Sequence, residues 1–121
     1  MTGKILIVDK EIKLRGQYQT ELEVDGYKVL TAADGQEALN KLNKEVIDLI
    51  VLAMDLPDGS GLDYLSQFIQ AKRNIKVVIN TDYPTYKMDF HSWGADAFLI
   101  KSPDLSELRS TIETLLHDKR N

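Results

Sequence analysis

The stretch IDLIVLAMDLPDGSGL, residues 47–62, decides the fold of this chain. Its first half is nearly all apolar and rich in β-branched side chains, which is typical of a strand buried on both faces of a parallel sheet. The run stops at Ala53, and the proline and glycines that follow predict a turn before helical spacing resumes at Leu62. Ligands of open α/β sheets bind outside the carboxyl ends of the strands, so we expect the chemistry of the chain at this turn. The residue at the strand tip, Ala53, carries no reactive group.

Apolar runs and helical spacing alternate along the rest of the chain. Four further short apolar runs predict strands at residues 4–8, 27–31, 76–79 and 97–100. Apolar residues at helical spacing predict five helices, whose buried stripes are Leu14, Tyr18 and Leu22; Ala38, Leu39 and Leu42; Leu62, Leu65 and Phe68; Tyr86, Phe90 and Trp93; and Leu108, Ile112 and Leu115 or Leu116. The alternation predicts an α/β domain, spanning residues 1–121, with a parallel sheet covered by helices on both faces.

Three of these helices carry a sequence signal for their first residue. The signal is an aspartate or serine followed three positions later by an acidic residue. It occurs as Asp34 with Glu37, Ser60 with Asp63, and Asp104 with Glu107.

The composition excludes several classes of function. The net charge is −4, and basic residues are scattered along the chain, so no clustered basic face for nucleic acid is expected. There is no cysteine, which excludes disulfides and thiolate metal sites. No apolar run approaches the roughly 20 residues of a membrane span, and the N-terminus has no signal-peptide pattern. We therefore expect a cytoplasmic protein that binds neither nucleic acid nor membrane.

Several segments of the chain resemble the receiver domain of bacterial two-component response regulators. They are ILIVD at 5–9, AADGQEAL at 32–39, LPDGSGLD at 56–63 and GAD at 94–96, together with Thr81 and Lys101. The resemblance covers essentially the whole chain. It implies a CheY-like, doubly wound, flavodoxin-like (βα)5 fold with five parallel strands in the order 2-1-3-4-5. It also implies a part in phosphorelay signal transduction without enzymatic activity.

The family's acidic pocket is altered in this chain. The resemblance places the acidic pair that holds a divalent ion on Asp9 and Lys10, so the second acid is missing, and it places the phosphoacceptor on Ala53. Asp9 and Asp55 then face Lys10 and Lys101, which balances the charge of the pocket without a metal. We predict that the Mg²⁺ site is lost, that no cofactor is bound, and that the Lys10 ammonium takes the place of the ion, paired with Asp9 or Asp55. Phosphate transfer to Asp55 or Asp58 instead is disfavoured, because neither position combines a metal with in-line geometry.

Three further pocket residues keep the family's residue types. The resemblance places the switch hydroxyl on Thr81, the conformational aromatic on Phe98 and the phosphate-binding lysine on Lys101. Thr81 has the equally good alternative of a backbone hydrogen bond at a strand end, and we interpret Lys101 as an ion-pair partner rather than a phosphate ligand. Ser102 stands where the family usually has proline, which puts the geometry of this loop in doubt.

A cluster of aromatic residues lies in the region that forms the family's output face. We interpret Tyr83 and Tyr86 as a partner-binding patch and Phe90 and Trp93 as residues that pack on the sheet. The resemblance implies a protein partner, such as a sensor histidine kinase or an output domain. It also implies a possible homodimer through the fourth helix, the fifth strand and the fifth helix.

Three functions are compatible with these residues. The first is a receiver-like module that cannot accept phosphate at the usual position and acts by binding a protein partner. The alternative is an ordinary phosphorylatable receiver in which alanine was introduced at position 53, although Lys10 argues against this because such a variant would keep its metal ligand. The third is a small enzyme that uses the same crevice, such as a flavin protein, but no phosphate-cradling loop follows the first strand.

Overall fold

The computed structural model describes residues 3–84, 90–91 and 93–117. Along the chain, its strands and helices are β1 (Lys4–Val8), α1 (Ile12–Val24), β2 (Lys28–Ala32), α2 (Gly35–Lys44), β3 (Leu49–Leu52), β4 (Asp55–Leu56), β5 (Gly59–Ser60), α3 (Gly61–Ala71), β6 (Lys76–Thr81), β7 (Ala97–Ile100) and α4 (Ser106–His117). None of the helices in these ranges has the length and hydrophobicity of a membrane-spanning segment.

The main sheet has five parallel strands in the order β2-β1-β3-β6-β7. Counted without the small β4–β5 hairpin, this is the predicted order 2-1-3-4-5, and the fold class is confirmed. The central strand is β3, as predicted, and all of its residues are buried. A strand with two neighbours and helices on both faces has no exposed side, which is why its sequence is apolar without alternation.

The hydrophobic core is divided by the sheet into two layers. On one face, alternate strand residues pack against α2 and α3, whose buried residues include Ala38, Leu42, Leu65 and Phe68. On the other face, the remaining strand residues pack against α1 and α4, whose buried residues include Tyr18, Leu22, Leu108, Ile112 and Leu116. The stripes predicted for α1, α2, α3 and α4 therefore face the sheet. Of the two alternatives in the last helix, Leu116 is buried while Leu115 is only partly so.

The predicted helix starts at Asp34 and Ser60 are confirmed. The Asp34 carboxylate accepts a hydrogen bond from the Glu37 N–H at 2.8 Å, and the Glu37 carboxylate in turn accepts one from the Ala33 N–H at 2.8 Å. The Ser60 hydroxyl accepts from the Leu62 N–H at 3.1 Å. Each contact satisfies a backbone donor that has no partner within its helix.

The segment between β6 and β7 is described only in part. The predicted fourth helix lies largely at residues 85–89 and 92, outside the described part of the chain, and so does the side chain of Tyr86. The described residues Phe90 and Trp93 form 3₁₀ turns and pack against the core, as interpreted from the sequence. The preceding strand β6 runs two residues past its predicted end, because its pairing with β7 extends to Thr81 opposite Ile100.

Gly16 lies inside α1 on an exposed face, and a Cβ placed there would have no neighbour within 4 Å. Glycine in a helix is less favourable than alanine because it loses more backbone freedom on folding. We therefore expect Gly16→Ala to raise the free energy of unfolding by about 0.5–1 kcal/mol. Urea unfolding measures the change, and an unchanged or lower midpoint would show that this face of α1 does not tolerate the methyl group.

Candidate functional site

The carboxyl ends of the parallel strands bring the predicted site residues to one edge of the sheet. Asp9 directly follows β1, Ala53 follows β3, Thr81 ends β6 and Lys101 follows β7. Because β1, β3, β6 and β7 are neighbours in the sheet, these four positions lie side by side. The topology therefore brings these four residues to the same edge of the sheet.

The buried part of the pocket is an ion pair between Lys101 and Asp9. The Lys101 Nζ lies 2.8 Å from Asp9 Oδ2, and the two side chains are 15% and 4% exposed. The other carboxylate oxygen of Asp9 accepts from the Glu11 N–H at 3.0 Å. Burial lowers the pKa of Lys101, but the hydrogen bond and charge of Asp9 outweigh it, so that the pKa is raised. This contact agrees with the interpretation of Lys101 as an ion-pair partner.

A second ion pair closes the outer part of the pocket. The Lys10 Nζ lies 2.7 Å from Asp55 Oδ2, so Lys10 contacts Asp55, one of the two partners left open by the sequence. The hydrogen bond and charge of Asp55 raise the pKa of Lys10, and those of Lys10 lower the pKa of Asp55. Both side chains are about half exposed, at 47% and 55%, so solvent screens this pair and it adds little to stability.

Ala53 is fixed between the sheet and the following loop. It is 3% exposed, and its N–H donates to the Val8 carbonyl at 3.0 Å. The loop returns so closely that a Cβ on Gly61 would lie 2.1 Å from the Ala53 carbonyl oxygen. The methyl group of Ala53 has no atom that could receive a phosphoryl group.

Thr81 and Phe98 are both held in place by neighbouring groups. The buried Thr81 hydroxyl accepts from the Tyr83 N–H at 3.2 Å, which is the strand-end hydrogen bond given as the alternative to a switch role. Phe98 is 8% exposed, and its ring lies 5.9 Å from that of Phe90. Tyr83 is 49% exposed, whereas Tyr86 lies outside the described residues. The switch and output roles of these residues stay predictions.

The loop after Lys101 has an ordinary backbone. Among the described residues, no peptide bond is cis, and the bond between Lys101 and Ser102 is therefore trans. The Lys101 N–H donates to the Thr81 carbonyl at 2.8 Å, and the Ser102 hydroxyl accepts from the Asp104 N–H at 3.1 Å. Serine in place of proline thus leaves a regular loop that connects β7 to α4.

Two polar contacts near the pocket were missed by the sequence reasoning. The Asn80 Nδ2 donates to the Tyr18 hydroxyl at 2.8 Å, and both side chains are buried between α1 and β6. The carboxylate of Asp58 accepts from the N–H groups of Gly35 and Gln36 at the start of α2, each at 3.0 Å. The first has a sequence signal, an asparagine at the end of an apolar run, whereas the second joins residues 22 or more positions apart and has none.

The pocket carboxylates Asp9 and Asp55 are each paired with a lysine side chain. Mg²⁺ in proteins is held by carboxylate and other oxygen ligands. Here each of the two carboxylates, Asp9 and Asp55, carries an ammonium group at 2.8 or 2.7 Å. In the described ranges, no group of three or more His, Cys, Asp or Glu residues is arranged to hold a metal ion.

Sequence comparison gives a family match over most of the chain. Residues 5–113 match the family described as "Response regulator receiver domain". The chain is 32% identical to the Sporulation initiation phosphotransferase F of Bacillus subtilis, over 100% of the chain and 99% of that protein. It is 36% identical to the Alkaline phosphatase synthesis transcriptional regulatory protein PhoP of Bacillus subtilis, over 96% of the chain and 49% of that protein. The chain thus spans nearly all of the first relative and about half of the second.

Solved structures of the response regulator TrrA from Thermotoga maritima have the same fold. The structure of TrrA in complex with Mg²⁺ and BeF is 34% identical in sequence, with a TM-score of 0.87 over 93% of this chain and 98% of that one. In a second structure, TrrA is in complex with the histidine kinase ThkA, and the TM-score is 0.86 at 35% identity over 94% of this chain and 98% of that one.

Proposed function

Because the chain belongs to the response regulator receiver domain family of two-component signalling, we propose that it is a member in which the phosphorylation switch is lost. In this proposal, Ala53 stands at the phosphoacceptor position, no Mg²⁺ is bound, and the domain acts as a phosphorylation-independent protein-interaction module in the cytoplasm. The observation that carries the proposal is the 2.7 Å contact between the Lys10 ammonium and Asp55.

The charge of the pocket supports this proposal. Phosphoryl transfer depends on cations that neutralise the charge of the transferred group and on an acceptor in line with it. The structure of TrrA is a complex with Mg²⁺ and BeF. For the pocket of this chain to bind the same groups, the ion pair between Lys10 and Asp55 would first have to break. The local ammonium supplies positive charge already, but an ammonium offers only donors and cannot coordinate a phosphoryl oxygen and a carboxylate as a metal ion does.

A protein partner is the natural ligand of such a module. Receiver domains interact with histidine kinases and output domains, as TrrA does with ThkA. We place the partner surface of this chain at the exposed side chains after β6 and at the end of β7, Tyr83 and Ile100, which are 49% and 44% exposed. A homodimer through the same region is the alternative assembly.

An ordinary receiver with an engineered alanine at position 53 is the second candidate function. The two candidates differ in what an aspartate at this position does. In the proposed function, Ala53→Asp supplies an acceptor but leaves Lys10 on Asp55, so that the metal site is still missing. In the alternative, the same change restores a complete site.

Incubation of the unmodified protein and of Ala53→Asp with acetyl phosphate and Mg²⁺ separates these candidates. We expect neither protein to gain the mass of a phosphoryl group in intact mass spectrometry, and Ala53→Asn serves as the matched control without an acceptor. Uptake by the unmodified protein would overturn the proposed function. Uptake by Ala53→Asp alone would establish the engineered receiver instead.

A further inference from the structure

One side chain joins the tip of the β4–β5 hairpin to two helices. Asp58 lies at the turn of the hairpin, and its two carboxylate oxygens accept from the N–H groups of Gly35 and Gln36, each at 3.0 Å. The Tyr64 hydroxyl, on α3, donates to the same carboxylate at 2.9 Å. Together with Asp34, which accepts from the third residue of α2, Asp58 satisfies the free donors of the first turn of this helix.

The ring of Tyr64 fills the space between the hairpin and α2. A Cβ on Gly35 would lie 2.2–2.5 Å from three atoms of this ring, so only glycine fits below it. Gly59, at the hairpin turn, has a φ of +145°, and a Cβ there would lie 3.6 Å from the ring. The ring also stacks on Phe68 with a centroid distance of 6.0 Å. Packing against the Tyr64 ring and the hydrogen bonds of Asp58 therefore both hold the tip of the hairpin against the start of α2.

The other end of the hairpin carries a pocket residue. Asp55 begins β4 and is paired with Ser60 across the hairpin, and its carboxylate contacts Lys10 at 2.7 Å. Because each strand of the hairpin has only two residues, a shift at the tip moves the base as well. We propose that Asp58 is a positioning residue, which clasps the hairpin to α2 and α3 and thereby holds Asp55 opposite Lys10.

The charge state of Asp58 agrees with this role. Burial raises the pKa of Asp58, but the hydrogen bonds from Gly35, Gln36 and Tyr64 outweigh it and hold the pKa below its ordinary value of 3.8. The side chain is therefore a carboxylate at neutral pH and accepts from all three donors. The clasp determines the shape of the pocket rim, and it does so whether or not the pocket accepts phosphate.

Amide hydrogen exchange of Asp58→Ala and Asp58→Asn, without Mg²⁺ or a phosphodonor, tests the clasp. A simple helix cap predicts faster exchange only at Gly35 and Gln36, whose N–H groups lose their acceptor. The clasp predicts, in addition, roughly fivefold faster exchange at Gly61 and Leu62, whose N–H groups are bonded at the base of the hairpin. Asp58→Asn keeps one acceptor oxygen, so this variant reports on the clasp even where alanine disturbs the whole fold.

The matched control is Asp104→Ala, which removes a side-chain acceptor at the start of another helix. The Asp104 carboxylate accepts from the Ser106 N–H at 2.9 Å at the start of α4, away from the hairpin. We expect this variant to leave the amide exchange rates of Gly61 and Leu62 unchanged. Unchanged exchange at these two amides in both Asp58 variants would overturn the proposal. Equally faster exchange at the same amides in Asp104→Ala would also overturn it, because the loss of protection would then be global.

Discussion

Lys101→Met is expected to lower the free energy of unfolding at neutral pH by about 3 kcal/mol, because it leaves a buried carboxylate without its partner. The Asp9 side chain is 4% exposed. In the Lys101→Met variant its carboxylate keeps the hydrogen bond that it accepts from the Glu11 N–H. Removing one member of a buried ion pair costs more than the pair contributes, since the remaining charge is neither solvated nor compensated. Urea unfolding followed by circular dichroism measures the loss.

Two variants make this test specific. Lys10→Met also removes an ammonium group from the pocket. Because its partner Asp55 is 55% exposed and is solvated by water, we expect the free energy of unfolding to change little. The double variant Asp9→Asn/Lys101→Met removes both charges of the buried pair, and we expect it to recover a large part of the loss. Equal effects of Lys101→Met and Lys10→Met would contradict the assignment of Lys101 as the buried partner.

The pH dependence of stability provides a second readout for Lys101. Its pKa in the folded protein is raised above the ordinary value of 10.5, so the folded state holds this proton more tightly than the unfolded chain. The contribution of protonated Lys101 to the free energy of unfolding is therefore complete below pH 10.5. It is lost as the pH rises through the pKa of Lys101 in the folded protein. We expect the stability gap between the unmodified protein and Lys101→Met to narrow on this alkaline side.

The double variant Lys10→Asp/Ala53→Asp is expected to gain Mg²⁺-dependent phosphorylation that the unmodified protein lacks. It places new carboxylates beside Asp9 and Asp55, with Lys101 as the single ammonium among these pocket residues. A surplus of carboxylates at short range favours a divalent cation with oxygen ligands, and the cation in turn permits phosphoryl transfer. Intact mass after incubation with acetyl phosphate measures the gain, which EDTA should abolish.

Charge alone should not produce this gain. Lys28→Asp/Ala53→Asp changes the net charge by the same amount at an exposed position of β2, outside the pocket. Lys10→Met/Ala53→Asp frees Asp55 but adds no ligand at position 10. We expect both controls to take up far less phosphate than the double variant. Equal uptake in Lys28→Asp/Ala53→Asp would show that Lys10 does not block the site.

The sheet was predictable because its strands are apolar without interruption. Residues 49–52 and 5–8 could only be buried on both faces, and the helices between them fix the parallel direction. The end of β6 was less predictable, since Asn80 looks like a turn residue in the sequence. In the fold its amide is satisfied by the Tyr18 hydroxyl, 62 positions away, so the strand continues through it.

The candidate site was predictable in its members but not in its contacts. Strand ends placed Asp9, Lys10, Asp55 and Lys101 at one edge, yet long flexible lysine side chains reach several carboxylates, so the sequence could not decide the partner of Lys10. The role of Asp58 was hidden for another reason. Its partners Gly35 and Gln36 are backbone groups on a different element, and backbone donors have no residue type by which a sequence reveals them.

Titration of the unmodified protein with Mg²⁺, followed through the NMR resonances of the Asp9 and Asp55 side chains, tests most directly whether the metal site is lost. We expect no shift of these resonances and no gain in thermal stability at millimolar Mg²⁺, because both carboxylates are held by ammonium groups at 2.8 and 2.7 Å. A saturable shift of both resonances, together with a higher melting temperature, would contradict the loss of the metal site.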